Sequence, residues 1–329
     1  MKVVLLSFAH LHMGSYAKQL NAHPDVEIVG IYNEDDSFGQ KMADQYRTGF
    51  FKTLDEALAV PSDAVVVCSA NADHKPMVVA AAQAGKHVMC EKPIATTIAD
   101  AQAMIDACVA NRVKLMTAFP CRFIPAVERG KRLIEEGRLG KILAIRATNH
   151  GSMPGGWFAE KEKAGGGAVM DHTVHVADLI RWMLGLEIVK VYAEVDNLYY
   201  PELNIDDVGQ LNMTLSDGSF VTLDTSWSRR RPFPFWGDVT LEFVGERGVL
   251  EIDSFAQKID VYSAVNKSVS WDYWGSDMDK ALVADFIRMV TKEEPAFISG
   301  EDGLKALEVA VAAYRSGETG EVVNLPLEN

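Results

Sequence analysis

Two stretches of the chain carry side chains that could take part in chemistry, and the first is the tripeptide Glu91-Lys92-Pro93. It follows an apolar run at residues 87–90 that is typical of a buried strand. Pro93 has no N–H and cannot extend a central strand, so the chain must turn there. In an open α/β sheet the carboxyl ends of the strands face the ligand crevice, which would place Glu91 and Lys92 beside a ligand. Taken alone, such a tripeptide is more often an ordinary loop with a solvated Glu–Lys pair.

The second stretch is a helical pattern over residues 168–184, which follows three consecutive glycines at 165–167. At about 100° per residue, four side chains fall within roughly 60° of one face; they are Asp171, His175, Asp178 and Trp182. A carboxylate one turn before a histidine could bind a substrate hydroxyl and act with it as a general base. A polar face with His paired to Asp would explain the pattern equally. A metal site that also includes His172 is not expected, because HxxH without a third soft ligand is a weak signal.

Length and composition limit the classes of protein. The 329 residues are enough for two domains, and 48% hydrophobic with 24% charged residues is ordinary for a globular protein. The net charge of −14 argues against nucleic-acid or anionic-membrane partners, which require a basic face. No apolar run approaches the ~20 residues of a membrane span, and no signal peptide is indicated. Four cysteines without metal-type spacing predict free thiols and a cytoplasmic location.

The first third of the chain alternates two kinds of pattern. Strands are predicted over 3–6, 26–32, 64–68, 87–90 and 114–118, with helices over 13–21, 38–46, 54–58, 74–84 and 98–110. Continuous apolar strands separated by helices indicate a doubly wound parallel sheet covered on both faces.

The first strand–helix turn of such a sheet is the expected phosphate site. Residues 7–14 have the spacing G-x-G-x-x-G, but Ser7, Ala9 and His12 replace the three glycines. Ser7 and Ala9 are small enough to let the backbone approach a diphosphate. Neutral His10 or His12, on either side of Leu11, could donate a hydrogen bond to it. A turn that binds nothing is equally compatible with these residues.

Polar side chains also follow the second and third strands. Asn33 and Glu34 end the second strand, and Glu34 is the candidate for binding the adenosine ribose hydroxyls. No Lys or Arg occurs between residues 33 and 40, which favours NAD over NADP. Ser69, Asn71 and His74 follow the third strand, where an amide and an imidazole can reach a ligand. His74 could instead simply occupy the first turn of its helix.

The remainder of the chain, residues 121–329, is predicted to form a second domain. It opens with Arg122 and a helix to about residue 136, followed by a strand and a Gly-rich loop that contains Trp157. Alternating patterns over 188–274 predict an antiparallel sheet with one apolar face, which would be buried in a homodimer or homotetramer. The loop 229–236, rich in Arg and aromatics, is either simply exposed or the rim of a site for an acidic sugar. The C-terminal helix, 303–316, could pack back on the first domain, residues 1–120.

Together these stretches resemble the glucose–fructose oxidoreductase, inositol dehydrogenase and rhizopine-catabolism family (Gfo/Idh/MocA). The marks are the order and spacing of Glu91-Lys92-Pro93, residues 122–125, the glycines 165–167 with Asp171 and His175, and residues 248–252. The resemblance implies an α/β protein, with an N-terminal Rossmann domain and a C-terminal α+β domain that has a large, mostly antiparallel open sheet. It implies NAD(P)-dependent oxidation or reduction of a sugar, cyclitol or related polyol.

The resemblance also implies roles for side chains. It carries over Lys92, Asp171 and His175 as the catalytic and substrate residues, with Arg122, Trp157 and His172 beside them. His175 is expected to take the hydroxyl proton and Lys92 to stabilise the alkoxide, although the two roles could be exchanged. Asp171 would hold a substrate hydroxyl or the imidazole.

The chain also departs from the family pattern. The altered residues include those of the phosphate turn and Asn33, where Asp is common in the family; Pro120 stands where Asn is frequent and Thr173 where Gly is frequent. A non-catalytic, ligand-sensing member of the same fold is therefore the alternative to an enzyme.

Overall fold

The computed structural model describes residues 1–230, 232–273 and 275–327, and the chain divides into two compact units. The first unit comprises Met1–Pro120 and Met278–Leu304, and the second comprises Cys121–Asp277 and Lys305–Asn329. We predicted that all of 121–329 belongs to the second domain. The segment Met278–Leu304 instead groups with the first unit, because its helix packs on the first helix of the chain.

The elements have the following bounds. The strands are β1 (Lys2–Leu6), β2 (Glu27–Tyr32), β3 (Phe50–Phe51), β4 (Ala64–Val67), β5 (His87–Glu91), β6 (Leu115–Ala118), β7 (Ile142–Thr148), β8 (Ile188–Asp196), β9 (Val208–Leu215), β10 (Phe220–Asp224), β11 (Thr240–Gly245), β12 (Gly248–Asp253), β13 (Lys258–Ser263), β14 (Ser268–Tyr273) and β15 (Val323–Asn324). The helices are α1 (His12–Ala22), α2 (Asp36–Tyr46), α3 (Leu54–Ala59), α4 (His74–Gln83), α5 (Ile98–Ala110), α6 (Pro125–Glu135), α7 (Lys161–Ala164), α8 (Ala168–Leu184), α9 (Met278–Thr291) and α10 (Gly300–Thr319). Among the described residues, every helix is too short or too polar to cross a lipid bilayer.

The first unit, all of whose residues are described, contains a six-stranded sheet in the order β3-β2-β1-β4-β5-β6. All neighbouring strands are parallel. The side chains of β4 and of residues 3–6 in β1 are completely buried. A strand that is apolar on both faces requires helices on both sides of the sheet. The prediction of a doubly wound parallel sheet is confirmed.

Polar contacts as well as packing fix the segment Met278–Leu304 to residues 1–120. The Ser15 hydroxyl of α1 donates to the Asp279 carboxylate of α9 at 2.6 Å. The Thr117 hydroxyl of β6 donates to the Ser299 carbonyl at 3.0 Å. A Cβ at Gly303 would lie 2.4 Å from Thr117 Oγ1, so the start of α10 packs closely on the end of β6.

In the described part of the second unit, seven strands form a sheet in the order β12-β11-β7-β10-β9-β8-β15. Only β7 and β10 pair in parallel there, and the other neighbours are antiparallel. The prediction of a large, mostly antiparallel open sheet is therefore confirmed. The hairpin β13–β14 lies apart from this sheet. Trp274, the last residue of the predicted strand region, lies outside the described residues.

We expected the apolar face of this sheet to be buried by another subunit, but helices of the same chain cover it. The apolar face, with Leu211, Val221 and Phe243, is buried, and α6 and α8 pack on the sheet. The other face is mixed rather than apolar. It exposes 56% of Phe220 and 55% of Val249 among polar side chains of β7, β9 and β11.

Candidate functional site

In the first unit, Ser7 allows the first strand–helix turn to form without a glycine. Its φ is 71°, in the left-handed region that normally favours glycine. The Ser7 hydroxyl donates to Glu34 Oε2 at 2.7 Å and accepts from the Ala9 N–H at 3.1 Å. These two bonds offset the strain of the turn and fix the carboxylate of Glu34 beside it.

The polar residues that follow β2 bind different partners. The Asn33 amide accepts from the Phe8 N–H at 2.8 Å, and Asp35 caps α2. The carboxylate of Asp36 lies 3.5 Å from the ammonium of Lys52. Lys52 therefore offsets part of the negative charge of these residues, although no Lys or Arg lies among them. Glu34 remains the acid that is held at the turn.

The N-terminus of α1 is suited to an anion. Leu11 is its N-cap residue and is 77% exposed, and the first turn contains no acidic residue. The N-cap residue Leu11 provides no side-chain cap, while the His12 N–H donates to Nδ1 of His10 and the Met13 N–H to the His10 carbonyl. The remaining backbone N–H groups of the first turn can bind a phosphate.

His10, His12 and Glu91 form the group of possible metal ligands that the described residues bring together, with one ligand atom from each within 4.8 Å of the others. Nδ1 of His10 accepts a hydrogen bond from the His12 N–H at 3.2 Å. A neutral imidazole has one nitrogen lone pair, so Nε2 of His10 must carry the proton and cannot bind a metal. We infer no metal site from this group, and the expectation that the protein holds no metal stays a prediction.

The loop that carries Lys92 is buried, and the ring of His74 is hydrogen-bonded to its main chain. Lys92 is buried, and it lies directly after β5. Nδ1 of His74 lies 3.1 Å from the Pro93 carbonyl and 3.2 Å from the Ile94 carbonyl, so the ring donates to the main chain of the loop. Burial lowers the pKa of His74. We predicted His74 as a cofactor residue, and the structure places its ring against this loop. The other two residues predicted there, Ser69 and Asn71, are buried at the end of β4.

In the second unit, Asp206 and Tyr314 bind the N-terminus of α8, which carries the candidate substrate residues. The Asp206 carboxylate accepts from the N–H groups of Gly167 at 2.7 Å and Val169 at 2.9 Å. The Tyr314 hydroxyl donates to Asp206 at 2.8 Å and accepts from the Met170 N–H at 3.1 Å. Burial raises the pKa of the Asp206 carboxyl, and the donated hydrogen bonds oppose that rise. Sequence reasoning missed both residues, because no local pattern connects them to the helix.

The glycines before α8 are explained by this cap. A Cβ at Gly167 would lie 1.8 Å from the Asp206 carbonyl oxygen, and one at Gly166 would lie 2.1 Å from the Tyr314 hydroxyl. Any larger residue would push the capping groups away from the helix.

The structure pairs two of the predicted residues on α8 directly. Nε2 of His172 lies 3.2 Å from the Asp171 carboxylate, and Nδ1 lies 3.2 Å from the Thr225 carbonyl. A Cβ at Gly151 would lie 2.4 Å from the His172 ring, so this glycine leaves room for it. His175, one turn after Asp171, is buried with its Nδ1 at 3.8 Å from the Cys121 thiol, a neighbour that the sequence did not suggest.

Arg122 forms an ion pair that the sequence did not suggest. Its guanidinium forms two hydrogen bonds to the Asp178 carboxylate, at 2.8 and 2.5 Å, and both side chains are buried. Its role as a substrate residue stays a prediction. Trp157 stacks on Phe158 with ring centroids 3.9 Å apart, and it packs against the apolar cluster that includes Trp227.

A second group that the sequence did not reveal lies at the end of β7. Nδ1 of His150 lies 2.9 Å from the Asp238 carboxylate, and Nε2 lies 3.1 Å from that of Asp224. Burial opposes a charge on this ring, but the two carboxylates raise its pKa to about 9. Arg229 pairs with the same Asp238. Arg231, in the middle of the predicted Arg-rich loop, lies outside the described residues.

Comparisons with known proteins show the family of the chain. Residues 11–119 match the family described as "Oxidoreductase family, NAD-binding Rossmann fold", and residues 127–251 match the "GFO/IDH/MocA C-terminal domain". The chain is 29% identical over 285 residues to a myo-inositol 2-dehydrogenase of Thermotoga maritima, with 84% of each chain covered. It is 26% identical to an inositol 2-dehydrogenase of Rhizobium meliloti, with 92% of each covered. The crystal structure of GenD2 from gentamicin A biosynthesis, in complex with NAD, has a TM-score of 0.91 at 26% identity and covers 99% of this chain and 96% of GenD2.

Replacing the capping carboxylate tests its role in the second unit. In Asp206→Asn, one amide oxygen replaces two acceptor oxygens, which leaves a buried N–H of α8 without a partner. We expect a loss of about 1–3 kcal/mol in the free energy of unfolding, the usual cost of such a group. Urea unfolding measures it, and amide hydrogen exchange at residues 167–170 should increase. The exposed Glu202→Gln on the same loop is the control. Equal stability of the two variants would contradict the role of the cap.

Proposed function

Since the chain belongs to the Gfo/Idh/MocA family of oxidoreductases, we propose that it transfers a hydride between NAD and a secondary hydroxyl or ketone of a sugar, cyclitol or related polyol. The resemblance indicated by its motifs is thereby confirmed. The observation that carries the proposal is the placement of the family's motif residues: Lys92 is buried at the carboxyl end of β5, and Asp171 and His175 are one turn apart on α8. No observation favours the non-catalytic alternative.

The first unit has the groups that a dinucleotide requires. The N-terminus of α1, where Leu11 provides no cap, can offer the remaining N–H groups of its first turn to the diphosphate, and Ser7 and Ala9 leave space for it. We assign to Glu34, whose carboxylate is bonded to Ser7, the role of accepting hydrogen bonds from the adenosine ribose. The nicotinamide, when bound, supplies the hydride acceptor or donor. The names of the inositol dehydrogenase relatives support a cyclitol or sugar as the other reactant.

The reaction needs a group that takes the hydroxyl proton and a group that stabilises the alkoxide. An imidazole is suited to accept a proton near neutral pH, and we assign this role to His175. We assign stabilisation of the alkoxide to the Lys92 ammonium, whose burial excludes water and strengthens the interaction. Asp171 would hold a neighbouring substrate hydroxyl, with its orientation set by His172.

Removing either group tests this assignment. We expect Lys92→Ala and His175→Ala each to lower kcat by roughly 10²-fold or more, the usual scale for such groups. NADH binding, followed by nicotinamide fluorescence, should survive both changes. Activity is measured by NADH absorbance with a panel of polyols. Lys75→Ala, which removes an ammonium paired with Asp100 on the surface, is the matched control. Wild-type turnover in a folded Lys92 or His175 variant would disprove the role of that residue.

The choice of NAD over NADP depends in this proposal on Glu34. Its carboxylate would repel a 2′-phosphate, and Ser7 prevents it from turning away. We expect Glu34→Ala to raise kcat/KM with NADP relative to NAD by about tenfold, which corresponds to ~1.4 kcal/mol. Asp36→Ala is the control, because that acid already faces Lys52 and its removal should change the ratio little. A wild-type protein that uses NADP as well as NAD would contradict the proposal.

The open sheet of the second unit is proposed as the surface of a homodimer or homotetramer. Its uncovered face is mixed, with Phe220 and Val249 exposed among polar side chains, and stable interfaces are commonly of this composition. We expect light scattering at micromolar concentration to show an oligomer, and Phe220→Glu to shift it toward the monomer. Val109→Glu, at an exposed position of the first unit, should leave it unchanged. A monomeric wild-type protein would refute this assembly.

A further inference from the structure

The first unit contains a buried carboxylate beside the proposed diphosphate site. Glu91 is 1% exposed, and its Oε2 accepts a hydrogen bond from the Tyr16 hydroxyl at 2.9 Å. Its Oε1 lies 3.3 Å from Nδ1 of His12. A buried carboxylate is costly unless a cation lies next to it. An anionic cofactor nearby would raise that cost further.

Several ionisable groups surround the ring of His12. They come from the turn before α1, from α1 itself, from β4 and β5 with the loops that follow them, and from α9: His10, Tyr16, Cys68, Glu91, Lys92 and Asp279. His10 is a neutral hydrogen-bond donor at Nε2, because its Nδ1 accepts the His12 N–H. The imidazole that can carry charge against Glu91 is therefore His12.

The His12 side chain is also partly exposed at the N-terminus of α1, where the diphosphate is proposed to bind. His12 is the first residue of α1, and one third of its side chain (33%) is exposed while Glu91 is completely covered. Burial disfavours the charged ring, but Glu91 raises the pKa of His12 above its ordinary value. Burial likewise disfavours the carboxylate, yet the neighbouring His12 ring holds the pKa of Glu91 well below its usual range.

From this geometry, and resting on the proposed function, we propose that Glu91 is a positioning residue that keeps His12 as an imidazolium, and that His12 binds the diphosphate of the cofactor. The chain thus replaces a glycine of the usual turn by a positive charge, and a buried carboxylate maintains that charge. The ring takes over part of the contact that a closer backbone approach gives in a glycine turn.

The charge of His12 determines how the binding of NADH should change with pH. The dianionic diphosphate binds more tightly to the imidazolium than to the neutral ring, so cofactor binding raises the proton affinity of His12 further. As the pH rises through the raised pKa of His12, the ring loses its charge and Glu91 stays ionised. The dissociation constant of NADH should therefore increase with pH, by about tenfold for each unit by which binding shifts that pKa.

The test is the dissociation constant of NADH, from nicotinamide fluorescence at constant ionic strength, between about pH 6 and pH 10. We expect weakening of about tenfold across this range for the wild type. His12→Gln should bind weakly at all these pH values, and Glu91→Gln should move the transition to lower pH. His23→Gln, at the other end of α1, is the matched control and should behave as the wild type. The NMR titration of the His12 ring, assigned with His12→Gln, should show a lower pKa in Glu91→Gln.

Two results would overturn the proposal, and they are distinguishable. NADH binding to the wild type that does not vary with pH, or the same variation in His12→Gln, would contradict the role of His12 alone. If the folded wild type bound no NADH at any pH, the proposed function would fail, and this inference with it.

Discussion

The carboxylate of Asp206 caps helix α8, which carries the candidate substrate residues Asp171, His172 and His175. The first turn of a helix has N–H groups without intrahelical partners, and burying them unpaired is costly. Here Asp206 and the Tyr314 hydroxyl accept from Gly167, Val169 and Met170. Residues 166 and 167 have to be glycines, because the groups of Tyr314 and Asp206 lie where a Cβ would be. A sequence feature that suggests flexibility is thus a requirement of close packing.

The first unit solves a comparable problem with side chains instead of glycines. Ser7 adopts a backbone conformation that favours glycine, and its hydroxyl bonds to the neighbouring Ala9 N–H and to Glu34. His74, buried under the next loop, donates to the main chain that carries Lys92. Ser7 and His74 therefore each hold a neighbouring segment of main chain or a side chain in place. This is how a poor match to the glycine fingerprint can keep the geometry of the turn.

The sequence predicted those features that depend on local pattern. The apolar runs of β1, β4 and β5 gave the parallel sheet, and the alternation in β10 gave the antiparallel one. Three kinds of feature could not be predicted from it. The strand β3 has two residues and no pattern of its own; the segment Met278–Leu304 joins the first unit through contacts distant in sequence. The ion pair of Arg122 has no local pattern, because its partner Asp178 lies 56 residues away and only the fold brings them together.

The charge balance of the second unit bears on the substrate that the proposed reaction would use. Two guanidinium groups predicted near a ligand are neutralised within the protein, Arg122 by Asp178 and Arg229 by Asp238. His150, which also carries a positive charge, is held between Asp224 and Asp238. An acidic sugar would have to compete with these carboxylates for their partners, and breaking the buried Arg122–Asp178 pair would cost several kcal/mol. A neutral polyol needs only hydrogen bonds, such as those that Asp171 and His175 can provide. The balance of charge therefore favours a neutral sugar or cyclitol over an acidic one.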